Sequence, residues 1–101
     1  MRKDEFINWM QTYGGMRGQP VGDAVSRCKR IEDSLRLDLD AEYQKDGGRS
    51  VIDTLTYTSA DEAHGRPAPD GLELAPGANV RNALASLKSA VKKYFEFCTE
   101  R

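Results

Sequence analysis

Histidine is almost missing from this chain: His64 is the single one in 101 residues. A metal centre or a histidine relay would need partners near it, and the surrounding Gly/Pro-rich stretch supplies none. Cysteine is scarce too. Cys28 and Cys98 are the two present, both at apolar helical positions, which predicts reduced, buried thiols rather than a disulfide framework. No apolar run approaches the ~18 residues of a transmembrane helix, so no membrane association is expected. The charged, amphipathic opening, Met1 to Trp9, does not read as a hydrophobic export signal, which predicts a cytoplasmic protein. Strand-forming sequence is equally thin, because only one short β-branched stretch exists and nothing is available to pair with it.

What is there suffices for one domain over residues 1–101, with 39% hydrophobic and 31% charged residues. The net charge of −1 is unevenly placed. Residues 1–36 hold seven bases and five acids, residues 37–75 three bases and nine acids, and residues 76–101 five bases and two acids. An acidic middle between basic ends is compatible with one electropositive face, and equally with acids and bases pairing across the surface.

Apolar spacing organises the chain into helices. Phe6, Trp9, Met10 and Tyr13 form one face of an opening helix, expected to start at Asp4 as its cap and to end at Gly14, Gly15 and Gly18. Pro20 suits the first turn of a second helix, in which Val21, Ala24, Val25, Cys28, Ile31 and Leu35 recur to near Leu37. Asp38 caps a shorter helix to Lys45, stopped by Gly47 and Gly48. Ser50 is expected to cap a short helix over Val51–Leu55, and Thr58 or Ser59 with Asp61 and Glu62 a further helical turn. His64 to Gly77 holds Pro67, Pro69 and Pro76 and reads as an extended loop crossing the bundle. The expected core is Phe6, Trp9, Val21, Val25, Ile31, Leu35, Leu55, Leu84, Leu87, Val91 and Phe95.

The closing segment, Ala78 to Cys98, is the most informative. Val80, Leu84, Leu87, Val91, Tyr94, Phe95 and Cys98 fall on one stripe at about 100° per residue. No acid occurs between Gly77 and Phe95, and Arg81, Lys88 and Lys92 form a row beside the stripe. Asn82, Ser86, Ser89 and Lys93 lie near it, and Arg27, Lys29 and Arg30 of the second helix are candidates to extend it. Such donors on a rigid helix suit phosphate oxygens.

Other candidate chemistry is poorer. Gly14-Gly15-Met16-Arg17-Gly18 follows a helix rather than a strand and lacks the Lys-Ser/Thr of a P-loop, so it reads as a turn, with Arg17 placed to touch a phosphate. Asp38, Asp40 and Glu42 lack the glycine and distant glutamate of a calcium loop, and no metal or cofactor is expected. Cys28 lies within an apolar stripe, where a thiol is inert. Nothing marks Asp61 and Glu62 as an opposed acid pair. No enzyme activity is expected.

The order Phe6-x-x-Trp9-Met10, glycine turn, long helix, acidic short helix and loop, then Asn82-Ala83-Leu84-x-x-Leu87-Lys88-x-x-Val91-x-x-Tyr94-Phe95-x-Phe97 resembles the SAM-like N-terminal domain of tyrosine recombinases (phage integrases). The Asn79–Phe97 stretch is also similar to small helical domains joined to HNH and other restriction-type endonucleases. The chain departs from the recombinase pattern where Gly18-Gln19-Pro20-Val21 replaces the Ser-x-x-Thr start, and in its acidic middle and proline loop. The resemblance implies an all-α, four- or five-helix SAM-like bundle, either alone or as the N-terminal module of a nuclease or recombinase-like protein. It further implies non-catalytic binding of double-stranded DNA through Arg81, Lys88, Lys92 and Arg17. The competing expectation is a protein–protein or dimerisation module docking through exposed aromatics such as Tyr13, Tyr43 or Phe97.

Overall fold

The longest apolar stripe of the chain becomes the axis of the fold. In the computed structural model, which describes residues 1–100, the helices run α1 Lys3–Thr12, α2 Gln19–Leu35, α3 Leu39–Asp46, α4 Arg49–Leu55, α5 Ser59–Ala63 and α6 Val80–Glu100. No strand occurs among the described residues, so the protein is an all-α bundle of five helices and one five-residue helical turn, α5. At 1.5 Å rise per residue, the 21 residues of α6 span roughly 30 Å. Every other helix packs against α6, and α2 shares the most extensive contact with it.

The core is assembled on that axis. Leu84, Leu87, Ala90, Val91, Tyr94, Phe95, Phe97 and Cys98 of α6 are buried, against Phe6, Trp9 and Met10 of α1 and Val21, Val25, Cys28 and Ile31 of α2. Phe6 meets the Tyr94 ring edge-on at 4.9 Å between centroids and lies 5.6 Å from Phe97, which in turn lies 5.9 Å from Trp9. Aromatic pairs of this kind contribute about 0.5–1.5 kcal/mol each beyond the area they bury. Of the expected core, Leu35 alone is only half-buried, because α2 ends there and Arg36 turns the chain away in a left-handed conformation (φ 53°).

Helix starts are satisfied less predictably than helix faces. Asp38 caps α3 by accepting the Asp40 N–H, and Thr58 and Asp61 form a reciprocal capping box on α5. Asp4, however, sits inside the first turn of α1, where the N-cap position falls to Arg2 without a side-chain cap. Ser50 likewise does not cap α4. The Asp46 carboxylate accepts from the Gly48 and Ser50 N–H groups and from the Ser50 hydroxyl, so the end of α3 caps the start of α4.

Gly48 makes this tight join possible. Its φ of 84° is left-handed, and a Cβ there would run into the Phe95 ring. The Pro/Gly stretch between α5 and α6 is a packed strap rather than a free tether: Leu72 is buried and Arg30 donates to the Glu73 carbonyl.

Candidate nucleic-acid interface

Helical geometry divides the exposed side of α6 into two edges. Arg81, Lys88 and Lys92 lie within about 40° of one another around the axis, whereas Ser86, Ser89 and Lys93 lie about 100° further round, toward α2. Arg81 and Lys92 are exposed and Lys88 is half-buried. None of the three is used in an ion pair with any other described residue, and neither are Lys93, Arg27 or Arg17. The acid-free sequence of α6 thus persists as an unneutralised surface, interrupted by Glu96 near its end.

The four cations expected to act together are only partly brought together. Lys88 and Lys92 share one shallow hollow of about 350 Å³ with Lys93, floored by Ala85 and Ser89 and closed by Glu96. Arg81, nearly two turns earlier, lines a different hollow of about 290 Å³ with Tyr57, Glu62, Arg66 and Asn79. Arg17 is exposed in the turn between α1 and α2. Its neighbours Met16 and Pro20 border a third hollow, of about 460 Å³, which runs between α2 and α6 and is lined by Asp23, Arg27, Ser86, Ser89 and Lys93. Arg17 does not itself line that groove.

The candidates on α2 also separate. Lys29 pairs with Asp33 one turn along at 3.4 Å, and Arg30 holds the strap through the Glu73 carbonyl. Arg27 alone of the three turns toward α6. The sequence placed Lys29 and Arg30 beside it in number, but a helix sends adjacent residues about 100° apart.

The aromatic docking face expected as an alternative does not exist as a face. Phe97 is only 1% exposed and sits in the core aromatic cluster. Tyr43 is half-buried, its ring near Phe95 and its hydroxyl 2.9 Å from that of Thr99. Tyr13 remains, at 61% exposure.

The groups with catalytic potential are occupied structurally. Cys28 and Cys98 are free and buried, and burial, with Glu32 adding to it, pushes the Cys28 thiol up to about 12. His64 lies at the end of α5 with Nδ1 2.7 Å from the Ala60 carbonyl oxygen. The Asp61 carboxyl is held below its ordinary range by the Thr58 N–H, with the Thr58 hydroxyl and Arg66 adding to the effect.

A second polar cluster escaped sequence reasoning. The Met1 ammonium lies 3.1 Å from Glu32, 3.5 Å from Asp40 and 3.8 Å from Asp38. Arg2 reaches Asp40 with Nε at 3.3 Å, stands over the Phe97 ring at 4.7 Å, and donates its backbone N–H to the Tyr94 hydroxyl. Tyr94 in turn donates to Asp40 at 2.6 Å. Burial alone would lower the ammonium pKa, but Glu32, Asp40 and Asp38 outweigh it and raise it. Burial would raise Asp40, yet Tyr94, the ammonium and Arg2 together hold it down. The cluster ties the first residues to α2, α3 and α6. No motif announces it, because its polar members, from Met1 to Tyr94, are up to 93 positions apart.

Comparison of the chain with protein families, curated proteins and solved structures finds no match. Among the described residues no helix is long and apolar enough to cross a membrane.

Proposed function

We propose that the protein is a non-catalytic DNA-binding module, gripping the phosphate backbone of a duplex through α6, and that its bundle is SAM-like in the manner of recombinase and nuclease accessory domains. The observation that carries this reading is the face of α6: its first 16 residues, Val80 to Phe95, hold no acid, and their cations have no ion-pair partner among the described residues. Charges left unpaired on a rigid helix cost nothing to redirect to phosphates, and releasing counterions from DNA supplies the driving force. The two hollows lined by Arg27, Lys88, Lys92 and Lys93 contain no aromatic side chain on which an unpaired base would stack, which favours duplex over single strand there; Tyr57 lines only the hollow of Arg81. The reading includes no catalytic step and places the protein in the cytoplasm.

Fluorescence anisotropy on a random-sequence duplex at low salt tests it, comparing the wild type with an Arg81→Ala/Lys88→Ala/Lys92→Ala triple variant. The wild type binds and the variant loses most of the affinity. Absence of binding by the wild type at about 100 μM would end the proposal, since non-specific affinities lie at or below that level.

A further inference from the structure

The row read along α6 is one edge of a wider surface. Across the Ala85 and Ser89 floor from Lys88 and Lys92 stands Lys93, and across the groove from Lys93 stands Arg27 of α2. Two adjoining hollows that share Ala85, Ser89 and Lys93 therefore have cations on both outer walls, Lys88 and Lys92 on one side and Arg27 on the other. The acids are at the limits: Asp23 at the α2 side of the groove, hydrogen-bonded by Gln19 at 2.8 Å, and Glu96 at the end of the Lys88–Lys92 hollow.

We propose that the phosphate-binding centre is this concave strip between α2 and α6, with Arg27 and Lys93 as principal contacts beside Lys88 and Lys92, and with Arg81 and Arg17 peripheral. The inference rests on the DNA-binding reading and sharpens it to one strand of the duplex backbone seated in the strip. The small floor residues matter because a sugar–phosphate chain needs room to come within hydrogen-bond reach of cations on both walls. Ser86 and Ser89 add neutral donors along that floor. From Ala85 to Lys93 the helix rises about 12 Å, so the strip is short and meets only a few phosphates of one strand. The contact is thus short and independent of base sequence.

The test measures affinity for a random 20-base-pair duplex over a range of salt concentrations. An Arg27→Ala/Lys93→Gln variant should flatten the plot of log K against log salt by about 1.8, the value for two lost phosphate contacts. Arg81→Ala and Arg17→Ala should each change the slope by much less than one contact. Asp23→Asn, which removes only a repulsion, should tighten binding by up to roughly fivefold. Lys45→Ala on α3 serves as the surface control. If the Arg27/Lys93 variant keeps the wild-type slope while the Arg81/Lys88/Lys92 triple variant loses binding, the strip is wrong and the single-row reading stands. If the wild type does not bind, both fail. Should the double variant fold poorly by circular dichroism, the Asp23→Asn result decides, and unchanged or weaker binding there overturns the strip.

Discussion

Gly48 is the residue on which the packing of α3, α4 and α6 most visibly turns. It adopts a left-handed conformation, receives help from Asp46, and lets the Phe95 ring lie against the backbone. Its neighbour Gly47 is also left-handed (φ 71°) but has open space where a side chain would go. The two glycines therefore separate backbone strain from steric exclusion. Gly47→Ala should cost about 1–2 kcal/mol, the left-handed penalty alone. Gly48→Ala should cost that plus about 1–3 kcal/mol for overpacking Phe95. At roughly 4–8 °C per kcal/mol for a domain of this size, the gap is easily resolved by thermal denaturation. Equal losses at the two positions would show that Phe95 moves aside freely. In sequence the pair is simply Gly-Gly, a helix stop. That both stop a helix was legible; that only one of them faces a ring was not, because Phe95 is 47 residues away.

At the scale of elements, α6 has two jobs on different sides, and the cluster at its far end governs how it is held. Tyr94 and Cys98 of α6 meet Arg2, Asp40 and the Met1 ammonium there. The pH dependence of stability follows from the two shifts. The ammonium pKa is raised above its ordinary 8.0, so its contribution is full below pH 8 and is lost as pH rises through the folded value. Asp40 is lowered from 3.8, so its contribution is full above about pH 4 and is lost as pH falls. Burial also raises the two thiols and the Tyr94 phenol, whose contributions begin to fade as pH nears the ordinary thiol value of 9.0. The ammonium, with the lowest ordinary value of these groups, is therefore the first to move as pH rises past 8. Denaturant midpoints should hold steady from pH 5 to 7 and fall as pH rises above 8. An Nα-acetylated protein should be less stable at pH 7 and show a smaller fall. Identical curves for the two forms would remove the ammonium from the stability of the fold.

At the scale of the whole molecule, a net charge of −1 conceals separated fields. Much of the acidic middle is spent internally: Asp38, Asp46 and Asp61 cap helices, and Asp40 holds the amino terminus. The cations of α6 and Arg27 are not spent in this way. A chain near neutrality should then still be retained on immobilised heparin at about 50 mM salt, where the Debye length of about 14 Å, scaled from about 10 Å at 0.1 M, remains well below the 41 Å length of the molecule. The Arg81/Lys88/Lys92 variant should elute earlier. Coincident elution of the two proteins in the flow-through would show that the acidic middle cancels the basic face. The same separation of charge was visible by counting residues, but which acids are already engaged is a matter of three-dimensional neighbours.

Sequence by itself determined the helices and their inward faces, because burial of an amphipathic stripe depends on spacing within about 20 residues. It determined the all-α class, the Asp38 cap, a capped turn beginning at Thr58 or Ser59, and the buried character of Cys28 and Cys98, all local consequences of residue type and spacing. Tertiary structure decided what those faces meet. It buried Phe97, moved the cap of α4 from Ser50 to Asp46, and gathered the amino terminus onto Glu32 and Asp40. It also split Arg81 from Lys88 and Lys92, and put Arg27 opposite Lys93. Spacing within one helix sets direction around its axis, but which two helices lie side by side is set by the packing of the entire core.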